Sequence, residues 1–159
     1  MIEAQWMNEA LALAEEAAAD GEIPVGAVIA DREGRIIGRG RNRRESGDPL
    51  GHAELYAIRQ AAEAIGDWRL EGTTMAVTLE PCAMCAGALV NARVERLIFA
   101  AKDPKAGFCG SLGNLVQDPR LNHRLVVEAG LEEEKARLLL QQFFQRLRRQ
   151  PKTERWQSG

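Results

Sequence analysis

Two short segments of this 159-residue chain carry residue types that could do metal-assisted chemistry: His52-Ala53-Glu54 and Pro81-Cys82-Ala83-Met84-Cys85. Cys82 and Cys85 stand three positions apart, so in a first helical turn both thiols lie on one side. A helix N-terminus favours negative charge, which lowers thiol pKa and suits thiolate ligands. A neutral His52 imidazole would add a nitrogen, and two soft sulfurs with one nitrogen suit tetrahedral zinc. The ligand count decides the chemistry. Structural zinc sites close with four protein ligands, whereas catalytic ones keep a position for water, whose pKa the ion brings near ~7. The only other candidates for a fourth ligand are Cys109 and His123. Glu54, two residues from His52, would sit beside the metal without binding it, taking a proton from water and delivering it to a leaving group. Taken alone, Cys-x-x-Cys is more often a redox pair or half of a structural site, and His-x-Glu is common by chance. Both motifs opening helices, with Pro81 before the first cysteine, favours catalytic zinc.

The elements that must position these groups follow from periodicity and punctuation. Ile2 to Ala19 predicts an amphipathic helix with Ile2, Trp6, Leu13 and Ala17 on one stripe, ended by Asp20-Gly21. Val25 to Ala30 and Arg35 to Arg41 read as two strands joined by a turn at 31–34. A loop over 46–51 precedes a helix from His52 to Ile65. Thr73 to Leu79 is strand-like, and Pro81, a residue suited to a first helical turn, leads into a helix from Cys82 to Asn91. Arg96 to Ala101 predicts a strand, Lys102 to Gly113 a loop, and Leu125 to Glu128 a further strand. Leu131 to Arg149 reads as a long helix with Leu139, Phe143 and Leu147 in register. This order predicts an α/β domain over residues 1–150, with helices packed on a central sheet of about five strands and a flexible polar tail at 151–159. Trp6, Trp68 and Met84 read as core or interface residues.

Composition bounds the function. Apolar residues at 45% supply enough surface to drive folding, which excludes disorder throughout. No apolar run is long enough to span a membrane, and an acidic start (Glu3, Glu9, Glu15, Glu16) is unlike a targeting peptide, so the cytoplasm is the expected location. Three cysteines are too few for a disulfide scaffold. The net charge of −2 leaves a polyanionic partner to be met by a local basic face. Arg39, Arg41 and Arg43 would share one side of a strand, and Arg146, Arg148, Arg149, Lys152 and Arg155 cluster near the C-terminus.

The motif residues resemble the zinc-dependent nucleobase deaminases, whose signature is His-x-Glu followed by Pro-Cys-x-x-Cys. The resemblance extends to the bacterial tRNA-specific adenosine deaminases through Pro24-Val25-Gly26-Ala27-Val28, Gly38-Arg39-Gly40-Arg41-Asn42, Thr78-Leu79-Glu80 leading into the cysteines, Gly110-Ser111-Leu112, Asn122-His123-Arg124 and Phe143-Phe144. It covers the chain from about Ala10 to Arg149. It implies a three-layer α/β/α fold with a mixed sheet, like cytidine deaminase, and a homodimer. It implies one zinc held by His52, Cys82 and Cys85, with Glu54 as catalytic acid and base. The activity implied is conversion of adenosine to inosine at the wobble position of a tRNA anticodon stem-loop. Asn42 would face the purine, the backbone N–H of Ala53 would support the base, and Arg146, Arg148 and Arg149 would contact RNA. Cys109 reads as a small buried thiol, and His123 as part of a structural or RNA-contacting loop. The competing readings are a deaminase of a free base or nucleoside, of guanine or cytosine type, and a non-enzymatic zinc or redox module.

Overall fold

The computed structural model describes residues 1–150; the expected tail at 151–159, with Lys152 and Arg155, lies outside them. The chain runs through α1 (Ile2–Ala19), β1 (Gly26–Ala30), β2 (Ile36–Arg41), α2 (Ala53–Ile65), β3 (Thr74–Leu79), α3 (Ala83–Asn91), β4 (Arg96–Ala101), β5 (Val126–Ala129) and α4 (Glu133–Arg149). The five strands form one sheet in the order β2-β1-β3-β4-β5. β1 pairs antiparallel with both β2 and β3, while β3, β4 and β5 are parallel. The sheet is therefore mixed, as expected. Strand alternation sends Val28, Ala30, Ala76 and Ile98 towards α1 and α4, and Ala27, Ile29, Met75, Val77 and Leu97 into the core beneath α2 and α3. Three layers result, α1 and α4 on one face and α2 and α3 on the other.

Helices approach this sheet closely because glycines face alanines. Gly38 and Gly40 of β2 lie under the buried Ala53–Ala57–Ala61 ridge of α2, and a Cβ on either would strike the α2 backbone, at Ala57 O and Ala53 O respectively. Gly26 of β1 does the same for α1, at Ala10 O. This contact corrects the expected stripe of α1. Its buried face is Trp6, Met7, Ala10, Leu11, Ala14 and Ala17, whereas Ile2 is exposed and Leu13 only half-buried. The close approach sets Ala10 and Ala14 against Gly26, with Trp6, Met7 and Leu11 buried alongside, and leaves Ile2 and Leu13 at the margin.

Two further expectations change. Of the two roles expected for Trp68, core or interface, the core one is excluded: it is 52% exposed in the turn after α2, with the Arg69 and Arg93 guanidinium groups over its ring at 4.5 and 5.5 Å. Arg39 and Arg41 do share a side, but that side faces α1, where Glu9 and Asp20 pair with them. They are thus largely neutralised, while Arg43 lies past the strand end and stacks on Tyr56 at 5.6 Å. Trp6 is buried and donates to Gly34 O at 3.1 Å. In α4 the expected stripe is present, with Phe143 buried and Leu139 and Leu147 half-buried.

Gly40→Ala is expected to lower stability by about 1–3 kcal/mol, because α2 must shift to admit the methyl group. Thermal or denaturant unfolding checks this, and an unchanged midpoint would show that α2 has slack here.

Candidate functional site

β2 and β3 both run opposite to β1, so their C-terminal ends emerge at the same edge of the sheet. Helices α2 and α3 start just beyond that edge. His52 and Cys82 each stand one residue before their helix as its N-cap, in extended backbone, and Cys85 lies in the first turn of α3. Residues 30 positions apart in sequence thereby meet at two helix N-termini. Sγ of Cys82 and Sγ of Cys85 each lie 3.5 Å from Nδ1 of His52. With metal–sulfur and metal–nitrogen bonds of about 2.3 and 2.0 Å, neighbouring ligands of a tetrahedral ion stand about 3.5 Å apart. Both sulfur–nitrogen distances match that spacing. Among the described residues the three donors are the one such group of three whose donor atoms all lie within 4.8 Å of one another.

Neither candidate for a fourth ligand joins them. Cys109 is buried, its sulfur turned to Pro81 O at 3.9 Å, and burial pushes its thiol well above the usual range. His123 bonds through Nε2 to Val94 O at 2.7 Å and ties the loop before β5 to the turn between α3 and β4. Three protein donors leave a tetrahedral ion one position for a small molecule.

The electrostatics match the donor set. The hydrogen bond from Cys85 holds Cys82 down to about 4. The same bond, followed by burial, drives Cys85 far up, and His52 is raised chiefly by its contact with Cys82. Two adjacent thiols cannot both ionise unless a nearby cation balances them, and a divalent ion at these donors would do so. Glu54 is 4% exposed, and burial pushes its carboxyl up to about 7. Such a carboxyl takes up and releases a proton near neutral pH.

A cleft of about 220 Å³ opens over this group. Asn42, His52, Glu54 and Cys82 line it, with Glu22, Arg44 and Glu45 on one wall and Glu80, Asp103 and Ala106 on another. Asn42 Oδ1 accepts the N–H of Ala53 at 3.0 Å. The Ala53 N–H therefore orients Asn42 in this arrangement instead of facing the cleft, and the Asn42 NH₂ is the group left to meet a ligand. Two buried carboxylates of the cleft, Glu22 and Glu80, carry no assignment from the motifs. Glu22, 4% exposed, accepts the N–H of Glu45 at 2.9 Å and fixes the short 3₁₀ turn at Arg44–Ser46. Glu80, 2% exposed, collects four hydrogen bonds from the loop after β4. Burial alone would raise the Glu80 pKa, but these donors outweigh it and the carboxyl sits below its ordinary value. The available signal was a lone Glu at the end of an apolar strand, where burial demands donors.

The model of the MafB19-like deaminase family matches residues 1–148. The chain is similar to a tRNA-specific adenosine deaminase of Bacillus subtilis (strain 168), 47% identical over 151 residues, covering 94% of this chain and 93% of that protein. Among solved structures, one from studies of A-to-I editing by tRNA deaminases at the wobble position of transfer RNA aligns with TM-score 0.81 and 42% identity. It covers 86% of this chain and 99% of that one. A crystal structure in complex with 8-azaguanine is more distant, with TM-score 0.76 and 26% identity, covering 89% of this chain and 83% of that one.

Metal analysis of the purified chain is expected to find about one ion per chain. Cys82→Ala and Cys85→Ala should lose it, while Glu54→Gln should keep it, because Glu54 is not among the three donors. Loss of the ion with Glu54→Gln would make the carboxylate a ligand.

Proposed function

The chain belongs to the MafB19-like deaminase family, and we propose that it is a zinc-dependent tRNA adenosine deaminase that hydrolyses adenosine to inosine at the wobble position of an anticodon. The observation that carries this reading is the pairing of three metal donors with a buried carboxyl in one cleft. His52, Cys82 and Cys85 would hold zinc, which when bound supplies water acidified enough to react at neutral pH. Glu54 takes a proton from the water that attacks C6 of adenine and passes it to N1. It then moves the proton of the new C6 hydroxyl to the amino nitrogen, the C–N bond breaks, and ammonia leaves a carbonyl with N1 protonated, which is inosine. Asn42 offers its amide to the purine. The base has to be unstacked to reach this cleft, and an anticodon loop presents it so.

RNA binding is supported by a second groove of about 420 Å³ beside the cleft, lined by Lys102, Lys105, Arg137, Arg148 and Phe144. Arg148 lines it, whereas Arg146 and Arg149, in the same last turn of α4, are not among its lining residues. A cationic groove with a partly exposed aromatic ring suits phosphates and a stacked base. The homodimer is supported by α3, where Ala83, Gly87 and Ala88 present a surface of small residues and a Cβ at Gly87 would meet nothing within 4 Å. No helix among the described residues is long and apolar enough to cross a membrane, and the cytoplasm, where tRNA works, is the proposed location. The free-base reading rests on the more distant similarity to the 8-azaguanine complex and gives the basic groove nothing to do.

Ammonia release measured with an anticodon stem-loop, adenosine, guanine and cytidine tests the assignment. Turnover is expected on the stem-loop, with KM rising as salt rises because phosphate contacts release counterions. Glu54→Gln should lower kcat by about 10²–10⁴-fold with the metal retained. Efficient turnover of guanine or cytidine, with none on the stem-loop, would replace the substrate assignment.

A further inference from the structure

The loop after β4 separates the cleft from the basic groove, and a single side chain shapes it. Asp103 and Ala106 line the cleft, while Lys102 and Lys105, alternating with them, line the groove. Segment 103–111 lacks helix and strand ladders of its own, so its backbone groups need other partners. Glu80 supplies three of them. Its Oε1 accepts the Asp103 N–H at 3.0 Å and the Ser111 hydroxyl at 2.5 Å. Its Oε2 accepts the Cys109 N–H at 3.1 Å and the Ser111 N–H at 3.0 Å. Both ends of the segment are thus tied to one buried carboxylate. The wrapping is tight enough that a Cβ at Gly107 would overlap the Glu80 carboxyl.

We propose that Glu80 is a positioning residue for the substrate: its carboxylate gathers 103–111 into the wall that sets the cleft and the basic groove in register, so that one RNA strand can occupy both. This inference rests on the tRNA reading above. Glu80 contributes acceptors only, and Glu80→Gln turns one oxygen into an NH₂: at the Oε2 position it faces the N–H groups of Cys109 and Ser111 and both bonds are lost, while at the Oε1 position the Asp103 bond is lost and the Ser111 hydroxyl can turn to accept, so at least one backbone tie goes whichever way the amide turns. A backbone tie remains in the variant, the antiparallel bridge between Cys82 and Gly107, which includes the bond from Phe108 N–H to Pro81 O at 2.9 Å. This keeps the loop beside Cys82, so the metal site survives while the outer wall loosens.

The test compares wild type, Glu80→Gln and Ser111→Ala on the anticodon stem-loop, together with amide hydrogen exchange and metal content. Glu80→Gln is expected to raise KM about tenfold and leave kcat within about threefold, with the ion retained and exchange of the 103–111 amides at least tenfold faster. Ser111→Ala removes only the hydroxyl bond and should show the same pattern, with KM about threefold higher. If Glu80→Gln fails to fold or loses the ion, Ser111→Ala decides by its KM and by exchange at 109–111. Unchanged KM and exchange in the deciding variant would overturn the inference, as would a fall in kcat at constant KM, which would place Glu80 in the chemistry. If wild type does not deaminate the stem-loop, the substrate reading fails instead, and exchange alone judges the anchoring.

Discussion

Three donor atoms that must stand about 3.5 Å apart come from two segments of the chain, and the geometry of the sheet makes that possible. Because β1 lies antiparallel between β2 and β3, the strands leading to His52 and Cys82 end at the same edge. Each is followed by a helix whose first residues carry the donors. Open α/β sheets place ligands at the carboxyl ends of strands, and here the two helix N-termini add a field that favours thiolates. The alignment tolerates little play. α2 rests on Gly38 and Gly40 so closely that the backbone of Ala53, beside His52, would collide with a single added methyl group.

Burying charge at such a site is costly, and each buried carboxylate meets the cost differently. Glu80 is surrounded by four donors and stays ionised, which makes it an anchor. Glu54 lacks that surplus, and its proton is held near neutral pH, as acid–base work requires. Residue type is the same in both, and hydrogen-bond supply separates their roles. Glu22 uses one backbone donor to fix the opposite wall. The cleft is thus walled by loops that acidic side chains hold in place, with Arg44 also on its lining, while Lys102, Lys105, Arg137 and Arg148 line the groove beside α4.

The three candidate metal donors and Glu54 were legible as one cluster because their spacing is local, two positions in one motif and three in the other, and each motif opens a helix. The order and type of the elements were legible from periodicity, and boundaries shift by only one or two residues. The buried face of α1 was not, because it depends on Gly26 lying opposite Ala10, a tertiary contact that overrides the bulk of Ile2 and Leu13. Arg39 and Arg41 resembled a basic face until pairing with Glu9 and Asp20 of α1, which no linear pattern displays, took up their charge. Glu80 stood next to the cysteine motif, but its partners lie 23 to 31 positions ahead in a loop without periodicity. Asn42 and Ala53 were expected to serve the substrate separately, whereas the fold spends the Ala53 N–H on aligning Asn42.

The central claim is a three-donor metal centre that keeps one position for a reacting molecule. X-ray absorption at the zinc edge of the purified, active chain tests it most directly. The account predicts two sulfurs at about 2.3 Å and one imidazole nitrogen at about 2.0 Å, completed by one light atom that no side chain supplies. Azide or another small anion should change that fourth scatterer alone. A third sulfur, from Cys109, or a second imidazole, from His123, would close the site and contradict the account.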